Sequence, residues 1–125
     1  MERTAETVVK DPRQVAPVPN SQLLASALAK HQAGHISEAQ TLYAQILKNN
    51  PSHADALHFS GLAAHQSGNN ALAISLMERA FESGKHSADH YQNFSQVLEA
   101  SGHLDRALSA YEKAVALAPI YIQPM

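Results

Sequence analysis

Histidine, at eight of 125 residues, is the residue type in this sequence with the greatest capacity for chemistry. His31 and His65 lie 34 residues apart, His58 precedes His65 by seven residues, and His86 precedes His90 by four. A structural zinc site uses Cys or His ligands in a characteristic spacing, but this chain has no Cys and no such set of histidines. The sequence therefore predicts no metal site. It predicts polar side chains whose charge changes between about pH 5 and pH 8.

The motifs of the common enzyme classes are missing from the sequence. There is no glycine-rich phosphate loop, no His-Glu-x-x-His motif and no nucleophile spaced for a neighbouring base. The acidic residues are dispersed, which is typical of solvated helix surfaces. Nearly every irregular segment is a short turn, which leaves no long loop to carry a catalytic group. We therefore expect a protein that is not an enzyme and that binds no cofactor.

The charge balance and the hydropathy argue against two classes of partner. Nine Lys and Arg residues oppose 11 Asp and Glu residues, and the charges are scattered rather than gathered into the basic stripe that a nucleic acid requires. No apolar run approaches the roughly 18–20 residues that cross a membrane. The first six residues include two acids and lead into no apolar stretch, unlike a secretory signal. We expect a cytoplasmic protein that binds neither nucleic acid nor membrane.

The elements that would position the histidines follow from an internal repeat of 34 residues. Gly34, Gly68 and Gly102 keep this spacing. The other columns hold small or large side chains: Ala39, Ala73 and Ala107; Ile46, Ala80 and Ala114; Tyr43, Met77 and Tyr111. The spacing divides the chain into three units, residues 20–53, 54–87 and 88–121.

Each unit is predicted to form two antiparallel helices joined by a short turn. The glycine permits a positive φ after the first helix, and the alanines allow the two helices to approach closely. The large side chain is expected to fill the space beside that contact. Pro51 and Pro119 are predicted to end the second helices of units one and three. Ser37, Ser52 and either Asn69 or Asn70 are predicted N-caps.

These columns resemble the tetratricopeptide repeat (TPR) family over residues 20–121. Unit three matches the family pattern at Tyr91, Phe94, Leu98, Gly102, Ala107, Tyr111, Ala114 and Pro119. Unit two has Lys85, beside Gly84, where the family has its final Pro, and unit one has Leu23 where the family has an aromatic residue. The resemblance implies an all-α fold, a right-handed α-solenoid of three helix–turn–helix repeats.

In this family the first helix of each repeat lines a concave groove that binds a peptide or protein segment. The resemblance therefore implies partner-binding residues at Leu24, Leu28, His31, Asp55, His58, Leu62, His65, Gln92, Asn93 and Gln96. The alternative is that most of these residues are solvated helix faces. Asn93 matches the asparagine ladder of some members, but Ala25 and Phe59 fill that column in the other units, so no ladder is expected. Leu24 and Leu28 replace members of the clamp that binds chaperone tails, so such a peptide is not an expected ligand.

The two ends of the chain depart from the repeat. Residues 1–19 contain three prolines without apolar periodicity and are predicted to form a flexible tail, with docking of its valines on the groove as the alternative. Residues 122–125 are predicted to be a tail or the start of a truncated helix. The last helix then exposes apolar surface at Leu104, Leu108, Val115 and Leu117. Two interpretations stay open: a further repeat follows, or this surface forms a homo-oligomer.

The function predicted from these patterns is that of a protein–protein interaction scaffold for a protein or peptide ligand. Unit one resembles the N-terminal repeats of bacterial TPR proteins, some of which carry a glycosyl- or sulfotransferase domain further on. The chain would then be the recruiting module of a larger protein. The alternative is a complete small adaptor or secretion-type chaperone that self-associates. A catalytic domain is a third alternative, for which we expect no activity.

Overall fold

The chain folds into three pairs of antiparallel helices. The computed structural model describes residues 17–84 and 86–118. Six helices lie in these ranges: α1 (Asn20–Gln32), α2 (Ile36–Asn49), α3 (Ala54–Gln66), α4 (Asn70–Glu82), α5 (Ala88–Ala100) and α6 (Leu104–Leu117). The described residues form no strand, and the predicted all-α solenoid of helical repeats is confirmed. None of the six helices is both long and apolar enough to cross a membrane.

The turn within each pair is built on the repeated glycine. Gly34 and Gly102 have φ values of 86° and 83°, in the left-handed region where a Cβ atom is strained. The Gly34 N–H donates to the carbonyl of His31, and the His35 N–H donates to that of Lys30, at 3.0 and 2.8 Å. These bonds satisfy carbonyls at the end of α1 and return the chain directly into α2.

The second helices end where the sequence indicates, as far as they are described. Helix α2 ends at Asn49, two residues before Pro51. Lys85 and Pro119 lie outside the described residues, as do residues 1–16 of the predicted tail 1–19 and the whole of the predicted tail 122–125.

Only one of the three predicted N-caps is correct. Asn69 accepts a hydrogen bond from the backbone of α4 at 3.2 Å. Helix α2 begins at Ile36 without a side-chain cap, so Ser37 lies inside its first turn. At α3 the cap is His53, whose Nδ1 accepts from the helix backbone at 3.1 Å, and not Ser52. The start of α2 follows from packing, because Ile36 contacts the buried cluster between α1 and α2.

The core runs along the stack of helices, as each pair packs on the next. Its largest fully buried side chains include Tyr43, Leu57, Met77 and Leu98. At Gly61 of α3, an added Cβ would lie 2.9 Å from Met77 Cγ and 3.0 Å from a backbone oxygen of α4. Helices α3 and α4 therefore approach so closely that a larger residue at position 61 would force its neighbours to shift.

The prediction that Tyr111 fills a packed space is wrong. Tyr43 and Met77, in the same column, are fully buried, but Tyr111 is 53% exposed. Tyr43 is covered by Phe59 and Ala63 from the first helix of the next pair. Among the described residues, no helix follows α6 to cover Tyr111 in the same way. Burial in this column is thus supplied by the following repeat and not by the repeat that carries the residue.

Candidate functional site

The first helices of the three pairs present two adjacent clefts. Helix α3 lies between α1 and α5 and contacts α5 directly, so its residues take part in both clefts. The polar cleft, about 480 Å³, is lined by Asp55, His58, Phe59, Ser87, Asp89, His90 and Asn93. The apolar cleft, about 250 Å³, is lined by Leu28, His31, Gln32, Phe59, Leu62 and Gln66. Phe59 lines both clefts, so they adjoin at its ring, and we call the two clefts together the groove.

The floor of the polar cleft is a pair of stacked histidines. The rings of His58 and His90 lie 3.8 Å apart with an angle of 17° between their planes, and both side chains are buried. His90 Nε2 lies 3.6 Å from Asp55 Oδ1, which is ion-pair range and longer than a hydrogen bond. The Asn93 amide nitrogen lies 3.0 Å from His58 Nε2. Because an amide nitrogen only donates, Nε2 accepts, and His58 is neutral in this arrangement.

The wall of the apolar cleft is fixed by a hydrogen-bonded histidine from α1. His31 Nε2 lies 2.6 Å from Gln66 Oε1, which can only accept, so the proton is on Nε2. His31 Nδ1 then accepts from the Tyr43 hydroxyl at 2.8 Å. Burial raises the pKa of Tyr43 to about 12, so this hydroxyl keeps its proton and donates. His31 thereby joins α1, α2 and α3 at one point of the groove.

An aromatic row connects the two clefts. Tyr43 stacks on Phe59 at 6.4 Å, and the Phe59 ring meets the edge of His58 at 5.0 Å. His58 in turn stacks on His90. Such contacts stabilise packing beyond the burial of area alone, so the row supports the floor of the groove.

The structure brings together six of the ten residues predicted to line the groove. Asp55, His58 and Asn93 line the polar cleft, and Leu28, His31 and Leu62 line the apolar cleft. The other four line neither cleft. Leu24 packs against the buried cluster of α1 and α2, His65 Nδ1 bonds to Asn70 Oδ1 at 2.6 Å, and Gln92 and Gln96 are exposed on α5.

The sequence analysis did not place His90 in the groove. His90 occupies the third position of its repeat, a column filled in unit two by the buried Ala56. The position of His90 in the repeat could therefore have identified it as a residue between adjacent first helices. His86, which the sequence places four residues earlier, is instead at 3.0 Å from the Tyr91 hydroxyl and stacks on Phe81. Within the described ranges, no group of three or more His, Asp or Glu side chains could hold a metal ion.

The C-terminal helix presents a separate apolar surface. Leu104, Leu108, Tyr111 and Leu117 are each more than half exposed, whereas Val115 is partly buried. With Ser95 and Glu99 of α5, the first three line a shallow cleft of about 280 Å³. We call Leu104, Leu108 and Tyr111 the α6 face.

The stacked helix pairs define a helical-repeat scaffold for protein–protein interaction. Two sequence models described as tetratricopeptide repeat match residues 24–88 and 88–121, the first covering more than half of the chain. The chain belongs to the tetratricopeptide repeat family. No curated protein matches the chain.

Solved structures with the same fold span a range of proteins. An O-GlcNAc transferase mutant from Thermobaculum terrenum is 29% identical, with a TM-score of 0.78 over 82% of this chain and 20% of that one. YrrB, described as a TPR protein with an unusual peptide-binding site, is 20% identical (TM-score 0.74; 79% of this chain, 51% of that one). The second TPR of Spaghetti (RPAP3), bound to the HSP90 peptide SRMEEVD, is 12% identical (TM-score 0.73; 78% and 91%). The chain thus spans a fifth of the transferase and about half of YrrB.

Proposed function

We propose that the concave groove holds an extended peptide or a segment of a partner protein. The observation that carries this proposal is that the two clefts adjoin at Phe59 and together take lining residues from all three first helices. The groove is lined by apolar and aromatic surface with a few oriented polar groups, which is the composition of a binding site. YrrB and the second TPR of Spaghetti, two proteins of this fold, are described as binding peptides. In this proposal the chain acts by binding and needs neither catalysis nor a cofactor.

The groove is built to bind without rearranging. His31 is held by Tyr43 and Gln66, and His58 is held by Asn93. Side chains that are already ordered lose little further freedom when a ligand arrives, and this lowers the cost of association. Leu28 and Leu62 add apolar area on either side of Phe59.

A random peptide library displayed on phage tests the proposal. Peptides selected on the wild-type chain are measured by fluorescence anisotropy against Leu28→Glu, in the apolar cleft, and against Leu72→Glu as a matched control. Leu72 is exposed on α4 and lines neither cleft. Binding is expected to be lost in Leu28→Glu and kept in Leu72→Glu, with both variants folded by circular dichroism. Failure to select any peptide, or equal binding by both variants, would refute a ligand in the groove.

The proposed binding serves either of two settings. In one, the chain recruits a partner for a larger protein, a setting suggested by the likeness to the transferase, of which it spans 20%. In the other, it is a small adaptor that acts alone. The reading frame on either side of these residues in the gene distinguishes the two settings. The cytoplasmic location and the absence of nucleic-acid binding stay predictions.

A second proposed interaction is head-to-tail association of copies through the α6 face. The exposed Tyr111 occupies the column in which Tyr43 is buried beneath Ala63 of α3. The residue in the column of Ala63 on α1 is Ala29, which is exposed. We therefore propose that α1 of a second copy covers Tyr111 as α3 covers Tyr43. Such a contact is heterologous, so further copies can add to it and the assembly grows with concentration.

Light scattering over a range of concentrations tests this association. The mass of the wild-type chain is expected to rise with concentration, and both Ala29→Arg and Leu108→Glu should hold it at one copy. A wild-type chain that stays monomeric, or an assembly that Ala29→Arg leaves intact, would contradict head-to-tail packing.

A further inference from the structure

We propose that the junction between two copies of the chain is specified by a hydrogen-bonded relay, in which Tyr111 and Glu99 of one copy bind Gln32 of the next. This inference rests on the head-to-tail association proposed above and names the side chains that select the second copy. It follows from a contact inside the chain, at the place where the first helix pair meets the second.

The contact inside the chain is a relay of two hydrogen bonds. The Tyr43 hydroxyl on α2 donates to His31 Nδ1 at 2.8 Å, and His31 Nε2 donates at 2.6 Å to Gln66 Oε1, at the end of α3. The ring of Tyr43 is buried in a cluster with Ala63 of the same helix α3. A polar relay and an apolar contact therefore occur together where one repeat meets the next.

The third helix pair has the geometry of the first. Helices α5 and α6 begin and end two repeat lengths after α1 and α2. The glycines of the two turns have φ values of 86° and 83°, and the residues that open α2 and α6 share a ψ of 70°. Tyr111 therefore stands to α5 as Tyr43 stands to α1. The residue of α5 in the position of His31 is Glu99, which lines the same shallow cleft as Tyr111.

Glu99 can take the place of His31 in a relay to a second copy. The two oxygens of its carboxylate accept hydrogen bonds, one from the Tyr111 hydroxyl and the other from an amide. The residue of α1 in the position of Gln66 is Gln32, which is exposed and ends its helix as Gln66 ends α3. Its carboxamide donates through Nε2 when the group is reversed. Hydrogen bonds to a charged acceptor are the stronger kind, so this relay suits an interface.

The junction between the second and third helix pairs lacks the relay. Its three positions hold Met77, His65 and Ala100, and His65 Nδ1 bonds instead to Asn70 Oδ1 at 2.6 Å. The relay residues are therefore not common to every junction of the repeat. They recur on α5 and α6 at one end of the described stack and on α1 at the other, which is the arrangement that an end-to-end contact between two copies requires.

The exposed side of α1 also fits the α6 face. Ala25, Ala29 and Gln32 follow one another at intervals of four and three along α1, and all three are exposed. The residues in the same positions of α3 are those that pack on α2 or bond to α1. Alanine allows two helices to approach closely, and this row carries no charge that would lose its hydration at the junction. A second copy is thus the occupant that the apolar α6 face favours.

One pair of positions opposes the junction and keeps it weak. Inside the chain, Arg106 of α6 forms an ion pair with Glu78 of α4. The corresponding positions at the junction are Glu112 and, in the second copy, Glu38, which its own Lys30 binds at 2.8 Å. Like charges across an interface oppose binding. Replacement of Glu112 by Arg is therefore expected to strengthen the association.

Two blocked variants isolate a single junction for measurement. Ala29→Arg, which we call the α6-face chain, keeps the α6 face and blocks α1. Leu108→Glu, which we call the α1 chain, keeps α1 and blocks the α6 face. Each is expected to be monomeric alone, and the mixture is expected to form a complex of one copy of each. Isothermal titration calorimetry of one into the other measures its affinity.

A double-mutant cycle on this complex tests the relay. Glu99→Ala in the α6-face chain and Gln32→Ala in the α1 chain should each weaken binding about tenfold, the scale of one hydrogen bond to a charged group. Together they should bind no more weakly than Glu99→Ala alone, because both remove the same contact. Tyr111→Phe in the α6-face chain should weaken binding several-fold. Glu82→Ala, which removes an exposed acid at the end of α4, is the matched control and should leave the affinity unchanged.

The outcomes separate this inference from the association on which it rests. If the two blocked chains form no complex, both are overturned. If the complex forms but Glu99→Ala and Gln32→Ala leave its affinity unchanged, or if their effects multiply, the relay is overturned and head-to-tail association stands. A complex that Glu112→Arg in the α6-face chain weakens would also overturn the relay, since the junction would then not follow the register of the repeats. Circular dichroism of each variant checks that it is folded.

Discussion

The column that holds Tyr43 and Tyr111 allows one side chain to be tested in two environments. Tyr43 is fully buried, so Tyr43→Ala removes an aromatic ring from the packed core and should lower the free energy of unfolding by about 3–5 kcal/mol. Tyr111 is 53% exposed, and Tyr111→Ala should cost about 1 kcal/mol or less. The difference arises only from the helix that covers Tyr43, since both residues occupy the same position of their repeats.

Urea unfolding followed by far-UV circular dichroism measures both costs, at a dilution where the chain is monomeric. Tyr43 also joins two repeats, so native-state hydrogen exchange of Tyr43→Ala should show lost protection in α1 and α2 before the other helices. If Tyr43→Ala does not fold, Tyr43→Phe still tests the site. It removes the hydroxyl bonded to His31 and should cost about 1 kcal/mol, while Tyr111→Phe should cost nothing measurable.

Equal costs at the two positions would refute the reasoning, because they would mean that Tyr111 is covered too. A cost for Tyr111→Ala that grows with protein concentration would identify the cover as a second copy. A small cost at Tyr43 would instead mean that the first repeat is not firmly packed on the second.

The titration of Tyr43, a close helix contact and a helix cap give three more predictions. Burial raises the pKa of Tyr43 from 10.0 to about 12. The stability that the buried, protonated Tyr43 hydroxyl contributes is therefore fully present below pH 10 and is lost progressively above it. The free energy of unfolding should fall by about 1.4 kcal/mol per pH unit between pH 10 and pH 12, and urea titrations of Tyr43→Phe should lack that fall. Gly61→Ala should destabilise by about 1 kcal/mol in thermal unfolding, because overpacking against Met77 outweighs the gain in helix propensity; a stabilised variant would contradict the close approach. His53→Ala should cost about 1 kcal/mol and Ser37→Ala less than about 0.5 in urea unfolding, and the reverse order would restore Ser37 as a cap.

The positions of the helices could be predicted because they are encoded locally. Gly34, Gly68 and Gly102 mark turns that need a positive φ, and each of them adopts one. Pro51 follows the end of α2 by two residues. Such features depend on the backbone preferences of single residues, which a sequence displays directly. The N-caps were less predictable, because the start of α2 is decided by the packing of Ile36 and not by the nearest serine.

The groove could be predicted only in part. The repeat columns, together with the family resemblance, located Asp55, His58 and Asn93, since first-helix positions recur every 34 residues. They also pointed to His65, which instead bonds to Asn70 at the start of α4. The position of a residue in the repeat indicates which helix face it occupies, but not which neighbouring side chain it contacts.

The sequence by itself determined the repeat, the helices and the family, because turn glycines, small contact residues and helical spacing act over a few residues. Only the tertiary structure decided that His90 stacks on His58, that Phe59 joins two clefts and that Tyr111 is exposed where Tyr43 is buried. Each of these depends on contacts between residues of different repeats. Burial and stacking are properties of two surfaces brought together, and a single sequence column describes only one of them.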